Sequence, residues 1–345
     1  KIGITGASGF IGKRLVKKLE EDGFEVFKFV RRDVQNENEI FWSPSKQEID
    51  IEKLHESAIN LSKEDFGINY EGNPNIVPGE YIRKTMLINT LNFVFTDFLT
   101  SVKYKIENYS DTDAMVYQID KALDQGIPLT QGRFMRDMNL KEFKTLFTGN
   151  IEMPMADEKV KILNNVGDIL VTKYGGDWIN FIDDGPKKLY DNGKGLVERL
   201  VRDFKRFDDH SIFEIEKVYF LKLAQLAFWG IHRELSKRYF YIEDMENMTA
   251  FADYIIPVAL ESFGIVKYSS GLKEKIDSGI LVDRDSIEEI EIRSTSIYVT
   301  AKLTELINKY KNEEEKIIIP QLDFKLWTDF HADERPHHLT KTIMY

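Results

Sequence analysis

The sequence contains no cysteine. That excludes disulfides, thiolate metal sites and a cysteine nucleophile, and it fits a reducing cytoplasm, the expected location. There is no apolar run long enough to span a bilayer and no signal-peptide pattern, so no membrane partner is expected. Positive charge is in short supply: 47 Lys and Arg face 58 Asp and Glu, a formal net charge of −11. A broad phosphate-neutralising surface needs clustered Lys and Arg, so no stable nucleic-acid complex is expected, whereas a small nucleotide in a locally basic pocket remains compatible. Metal-ligand spacing is missing too. The adjacent pair His337-His338 points apart on a helix or strand, and His55, His210, His232 and His331 are scattered without HxxxH or HExxH spacing, which leaves a metal-free site. What is present suffices for a sizeable core: 345 residues, 42% hydrophobic and 12% aromatic, enough for two domains. The chain begins at Lys1 with no initiator methionine, as a fragment of a longer protein would.

Residues 1–5 read as a short apolar strand. Gly6-Ala7-Ser8-Gly9-Phe10-Ile11-Gly12 follows and opens a helix with Ile11, Leu15 and Leu19 at helical spacing. Glycines at such a turn let the backbone approach a pyrophosphate, and the helix N-terminus supplies N–H donors. A second strand, 24–30, ends in Arg31-Arg32, where an arginine suits a 2′-phosphate, and residues 57–62 read as the next parallel strand. Residues 1–62 thus resemble the start of an extended short-chain dehydrogenase of the nucleoside-diphosphate-sugar-epimerase type. The resemblance implies a truncated α/β Rossmann-like fragment with Gly6, Gly9, Gly12 and Arg31 as NAD(P) contacts, and an alternative function as an NAD(P)-dependent epimerase, oxidoreductase or dinucleotide-binding module. The class also needs a Tyr-x-x-x-Lys pair. Tyr117/Lys121 and Tyr190/Lys194 have that spelling, but among 15 tyrosines two such hits are what chance gives, and neither lies in a dehydrogenase-like context. The piece reads as a fused or vestigial half-domain.

Residues 63–80, with Gly67, Gly72, Pro74, Pro78 and Gly79 and little periodicity, read as a connector. Beyond it the pattern is helical. Helices are expected at 81–98, at 111–124 after Ser110, at 155–174, and from a capping-box-like start at Asn139. A long helix is expected over 211–238, with Phe213, Ile215, Val218, Leu221, Leu223, Leu226 and Trp229 facing the core, and another from Ser286 to about Lys311. Asn89, Asn92 and Phe93 read as pocket residues or as helix packing.

One acid stands out. In Met248-Thr249-Ala250-Phe251-Ala252-Asp253-Tyr254-Ile255-Ile256-Pro257, read as a helix start, Asp253 sits in an otherwise apolar run. A carboxylate there pays desolvation unless it is paired or used. Together with Phe220-Leu221-Lys222-Leu223-Ala224-Gln225, Glu289-Ile290-Glu291-Ile292-Arg293, Leu322-Asp323-Phe324-Lys325-Leu326-Trp327 and the ending Pro336 to Tyr345, the segment resembles the queuosine-salvage family of queuosine 5′-phosphate N-glycosylase/hydrolases. The match is collinear over about 64–345, its motifs beginning near Tyr81, so 81–345 is expected to form one helical domain. The resemblance implies a mainly α fold related to helix-hairpin-helix DNA glycosylases. It implies hydrolysis of the N-glycosidic bond of queuosine 5′-phosphate, releasing queuine for tRNA modification, with a small-molecule nucleotide as partner and no cofactor required. A DNA-glycosylase-like binder of duplex is a weaker third reading, opposed by the charge.

Cleaving the bond from ribose C1′ to a base nitrogen builds positive charge on the sugar, which a fixed, partly dry carboxylate stabilises. Queuine is a 7-deazaguanine and has no N7 to protonate, so the burden falls on the cation side. By the resemblance Asp253 is catalytic, Phe251 contacts the base, and Asp323 and Trp327 help read it. Lys222, costly on an apolar face without an anion, is assigned to the 5′-phosphate, with Arg293 or His338 as further phosphate candidates. The run departs from the family after Trp327: Thr328 stands where an acid is expected, with Asp329 one place on, which puts the Asp329 contact in doubt.

Overall fold

The computed structural model describes residues 2–5, 16–17, 20–21, 26–30, 39–41, 47–213 and 216–345. In chain order it begins with β1 (Ile2–Thr5), β2 (Val26–Val30), β3 (Glu39–Phe41), β4 (Gln47–Ile49), α1 (Ile51–Leu61) and α2 (Pro78–Leu91). There follow β5 (Lys105–Ile106), β6 (Tyr109–Ser110), α3 (Asp111–Asp124), α4 (Gly132–Asp137), α5 (Leu140–Leu146), α6 (Ala156–Lys173), α7 (Trp178–Asp183) and α8 (Leu196–Asp203). The chain continues with β7 (His210–Phe213), β8 (Glu216–Tyr219), α9 (Lys222–Leu235), α10 (Ile255–Ser262), β9 (Val266–Tyr268), α11 (Ser270–Asp277), α12 (Ile287–Asn308) and α13 (Ile319–Phe330). The described residues are mainly helical. They divide into one unit of Lys1–Tyr70, Asp209–Gln225 and Asp244–Lys341, and another of Glu71–Asp208, Leu226–Glu243 and Thr342–Tyr345.

In the first unit β1, β2 and β3 pair in parallel, in that order. The expected third strand at 57–62 is instead part of α1. Asp50 accepts from Lys53 N at 3.0 Å as its N-cap, and Leu54, Ala58 and Leu61 recur at helical spacing on the buried face. That face packs in one core with Ile256, Ala259 and Leu260 of α10, Val299, Leu303 and Ile307 of α12, and Leu322 and Leu326 of α13. Just before it, β4 pairs antiparallel with β9, Glu48 opposite Lys267. Residues 47–61 are thus built into the core that carries the candidate site.

The expected single helix over 211–238 is a hairpin followed by a shorter helix. β7 and β8 pair antiparallel, His210 opposite Tyr219, and α9 starts only at Lys222. Alternation wins over helical spacing here: Glu216, Val218 and Phe220 are buried, while Lys217 is exposed and Tyr219 partly so. Similarly, the expected helix start at 248–257 is irregular as far as Tyr254, with α10 beginning at Ile255. The helix expected over 81–98 is α2, which starts at Pro78 and ends at Leu91. α12 is capped by Ser286, whose hydroxyl accepts from Glu289 N at 3.2 Å, and Asn139 and Glu142 form a reciprocal capping box on α5.

The second unit packs Trp178, Phe181, Phe204 and Phe207 as an aromatic cluster. Helices α4 and α6 cross so closely that a Cβ on Gly167 would lie 2.3 Å from Arg136 N. Asn89 and Asn92 serve packing: Asn89 donates to Thr85 O at 2.9 Å, Asn92 accepts from the Thr112 hydroxyl at 3.0 Å, and Phe93 lies under the buried ammonium of Lys159.

Candidate active site

Four stretches of the first unit converge: the hairpin exit into α9, the irregular segment 248–254, α12 and α13. The hairpin ends with Leu221 in the left-handed region, φ 52°, and α9 begins at once with Lys222. Gln225, one turn on, ties this helix start to the irregular segment: its amide nitrogen donates to Thr249 Oγ1 at 2.9 Å and its oxygen accepts from Thr249 N at 2.8 Å. The segment then makes its own left-handed turn at Ala252, φ 41°, whose small side chain packs with Val218, Phe220 and Ile290. Non-glycine residues in such conformations cost on the order of 1–3 kcal/mol each and need surrounding structure to hold them.

That turn delivers Asp253. It is buried, and Oδ1 accepts from Ile255 N at 2.8 Å and Ile256 N at 3.1 Å, so the first turn of α10 fixes the carboxylate's direction. Phe251, also buried, donates its backbone N–H to Asp323 Oδ2 at 2.8 Å. Asp323 sits on the buried face of α13 at 1% exposure. Burial and the neighbouring Asp253 carboxylate push its pKa well above the ordinary value, against the Phe251 N–H and Lys222. Lys222 lies in the field of both: burial draws its pKa down and Arg293 adds to this, while Asp253, Asp323 and Asp209 oppose it.

Arg293, from the middle of α12, is engaged from three sides. Nη1 and Nη2 donate to Asp209 at 2.8 and 2.6 Å, Nε donates to Ala252 O at 3.1 Å, and Glu289 lies 3.6 Å from Nη1. Its guanidinium also stacks 4.0 Å above the Phe220 ring. Nearby, His338 is buried and its pKa falls to about 3 through burial, His337 and Arg293, which makes it a neutral imidazole rather than a phosphate-binding cation. His337 stacks on Tyr254, centroids 4.5 Å apart, so the C-terminal stretch adjoins the residue after Asp253.

Of the residues singled out from sequence, Asp253, Phe251, Lys222, Asp323 and Arg293 are therefore brought together. Trp327, one turn beyond Asp323, is 38% exposed and stacks on His331. Asp329 is on another face, in a 2.6 Å pair with Lys325, and the Thr328 hydroxyl donates to its own helix at Phe324 O. Gly6, Gly9, Gly12 and Arg31 lie outside the described residues. Asp209, which the motifs give no reason to single out, is the unforeseen member. Among the described residues no group of three or more His, Asp or Glu is placed to hold a metal ion.

Residues 76–345 match the family model described as queuosine salvage protein. The chain belongs to that family. It is 30% identical over 295 residues to the queuosine 5′-phosphate N-glycosylase/hydrolase of Mus musculus, with 80% of this chain and 85% of that protein aligned. The protein of the same name from Bos taurus is 29% identical over 297 residues, with the same coverage, and that from Sphaerobacter thermophilus 26% over 265, covering 75% and 80%. Residues 2–64 match a second model, the NAD dependent epimerase/dehydratase family. The salvage match takes in every member of the buried cluster, Asp209 included.

Proposed function

We propose that this member of the queuosine salvage family hydrolyses the N-glycosidic bond of queuosine 5′-phosphate and releases queuine for tRNA modification. The observation that carries this reading is the buried carboxylate pair, Asp253 on an irregular segment and Asp323 on α13, with Lys222 in its field. Asp253, aimed by two backbone N–H groups, stabilises positive charge developing at C1′ and serves as nucleophile or as base for the attacking water. Asp323, whose protonated form burial and Asp253 favour, offers the base one donor as well as an acceptor when it carries that proton, which suits a leaving group that has no N7. Phe251 and Trp327 present ring faces to the base; such stacking is worth about 1 to 3 kcal/mol per base. Lys222 balances the charge of the aspartates.

No step in this chemistry calls for a metal or a nicotinamide, and a cysteine-free enzyme of this kind suits the cytoplasm. The mainly helical architecture is in keeping with a relation to helix-hairpin-helix DNA glycosylases. Incubation with queuosine 5′-phosphate, with chromatography for free queuine, tests the reading; turnover is expected to survive chelators and to need no NADPH.

A second reading, an NAD(P)-dependent oxidoreductase or dinucleotide-binding module, rests on the epimerase match of residues 2–64 and the parallel strands β1 to β3. Tyr117 does not assist it. Its phenol donates to Glu107 at 2.7 Å and its pKa is raised, the reverse of what a dehydrogenase tyrosine needs. NADPH binding that disappears in Gly9→Val would favour this reading for the N-terminal piece.

A further inference from the structure

Lys222 and Asp253 are 31 positions apart, yet each directly follows a non-glycine residue in the left-handed region, Leu221 and Ala252. Such turns do not hold themselves, and both lead into the same buried cluster of charged side chains, in which Lys222 feels the field of Asp253. Asp209 reaches the first turn with its main chain and its side chain. Its carbonyl accepts from Phe220 N at 3.0 Å and Leu221 N at 3.1 Å, and its Oδ2 accepts from Lys222 N at 3.2 Å. Arg293 reaches the second through the Nε bond to Ala252 O, while its other two nitrogens grip Asp209. Phe220 stacks on the guanidinium and packs with Ala252, closing the loop of contacts.

We propose that Asp209 and Arg293 form a positioning clamp: one buried, bidentate ion pair that holds the two strained turns together and so fixes the places at which Lys222 and Asp253 enter the site. The proposal rests on the glycosylase reading only for its kinetic arm. It also changes the part assigned to Arg293, whose donors face Asp209 and Ala252 and act on the substrate through Asp253. The planar fork is essential to this geometry. A lysine keeps the positive charge beside Asp209 but cannot make a bidentate bond there and reach Ala252 O as well.

The test uses the full chain with Arg293→Lys, Asp209→Asn and Arg293→Lys/Ala252→Gly. Glycine adopts φ near +40° without the penalty alanine pays, so it should restore the second turn in part when the clamp is weakened. In Arg293→Lys, kcat for queuosine 5′-phosphate should fall about 100-fold with KM within about threefold, and adding Ala252→Gly should recover about tenfold. Amide hydrogen exchange gives an arm that needs no activity. The Ile255 and Ile256 amides, bonded to Asp253, and the Lys222 amide, bonded to Asp209, should lose protection together in Arg293→Lys and Asp209→Asn, while the buried turns of α12 keep theirs. Unchanged exchange at those three amides, or loss of kcat that Ala252→Gly leaves untouched, would overturn the clamp. Absence of queuine release by the wild-type protein would instead overturn the glycosylase reading, with the exchange pattern still deciding whether the clamp exists. If Asp209→Asn does not fold, the lysine and glycine variants decide alone.

Discussion

Removing residues 1–46 and removing residues 1–62 should have opposite consequences, although both cuts spare every motif of the salvage family. The longer deletion takes α1 and the strand β4 with it. Leu54, Ala58 and Leu61 are buried in the core shared with α10, α12 and α13, and β9 would lose its pairing partner. At about 1.5–3 kcal/mol for each fully buried leucine, with a smaller share for the alanine, the loss is about 4–6 kcal/mol. Domains are stable by only about 5–15 kcal/mol, so this consumes a large fraction of the total. For a chain of this size it corresponds to a fall in Tm of roughly 10 °C. Because α10 carries the two N–H groups that orient Asp253, activity should fall as well. Thermal unfolding and queuine release, measured on chains starting at residue 47 and at residue 63, provide the assay. Equal melting temperatures and equal turnover for the two would refute the assignment of α1 to this core.

Asp323→Asn should raise stability at neutral pH while removing activity. Burial and Asp253 raise the folded-state pKa of Asp323, so its contribution is fully present below the unfolded value near 3.8 and is lost as pH rises through the folded pKa, at about 1.4 kcal/mol per unit of elevation. Asparagine still accepts from Phe251 N, so unfolding followed against pH should show a flatter slope; an unchanged slope would place the titration elsewhere. Lys222→Ala should reduce kcat/KM for queuosine 5′-phosphate and for the free nucleoside to a similar degree, since the charges of Asp253, Asp323 and Asp209 already act on the buried ammonium. A loss confined to the nucleotide would make Lys222 a phosphate ligand.

How far the sequence reveals this arrangement depends on the range of the signal. The capped starts of α5 and α12 follow from Asn139, Glu142 and Ser286, residues that act within one turn, and α3 begins directly after Ser110, whose hydroxyl makes no capping bond. The helix α1 is legible too, in Asp50 and in the spacing of Leu54, Ala58 and Leu61, although the preceding parallel strands suggest a further strand over the same residues. The hairpin β7–β8 carried its own signal in the alternation around Val218 and Phe220, which helical spacing of the same apolar residues disguised. Asp253 is marked by the physical oddity of an acid in an apolar run and by the family resemblance, and Asp323 by the resemblance alone. Asp209 was not reachable in that way. Its partners stand 13 and 84 positions away, and no local pattern marks a residue whose role is to hold two distant turns.

The central claim turns on Asp253. Asp253→Asn keeps an oxygen able to accept from Ile255 and Ile256, so fold and base binding should survive while the charge opposite C1′ is lost. Removing a transition-state electrostatic partner typically costs about 100- to 1,000-fold in kcat, roughly 2.7–4 kcal/mol. The direct measurement is the rate of queuine release from queuosine 5′-phosphate by the wild-type protein and by Asp253→Asn, with the melting temperature of each. Turnover by the wild type and a loss of at least about 100-fold at unchanged melting temperature is the predicted result; a variant that releases queuine at nearly the wild-type rate would contradict the account.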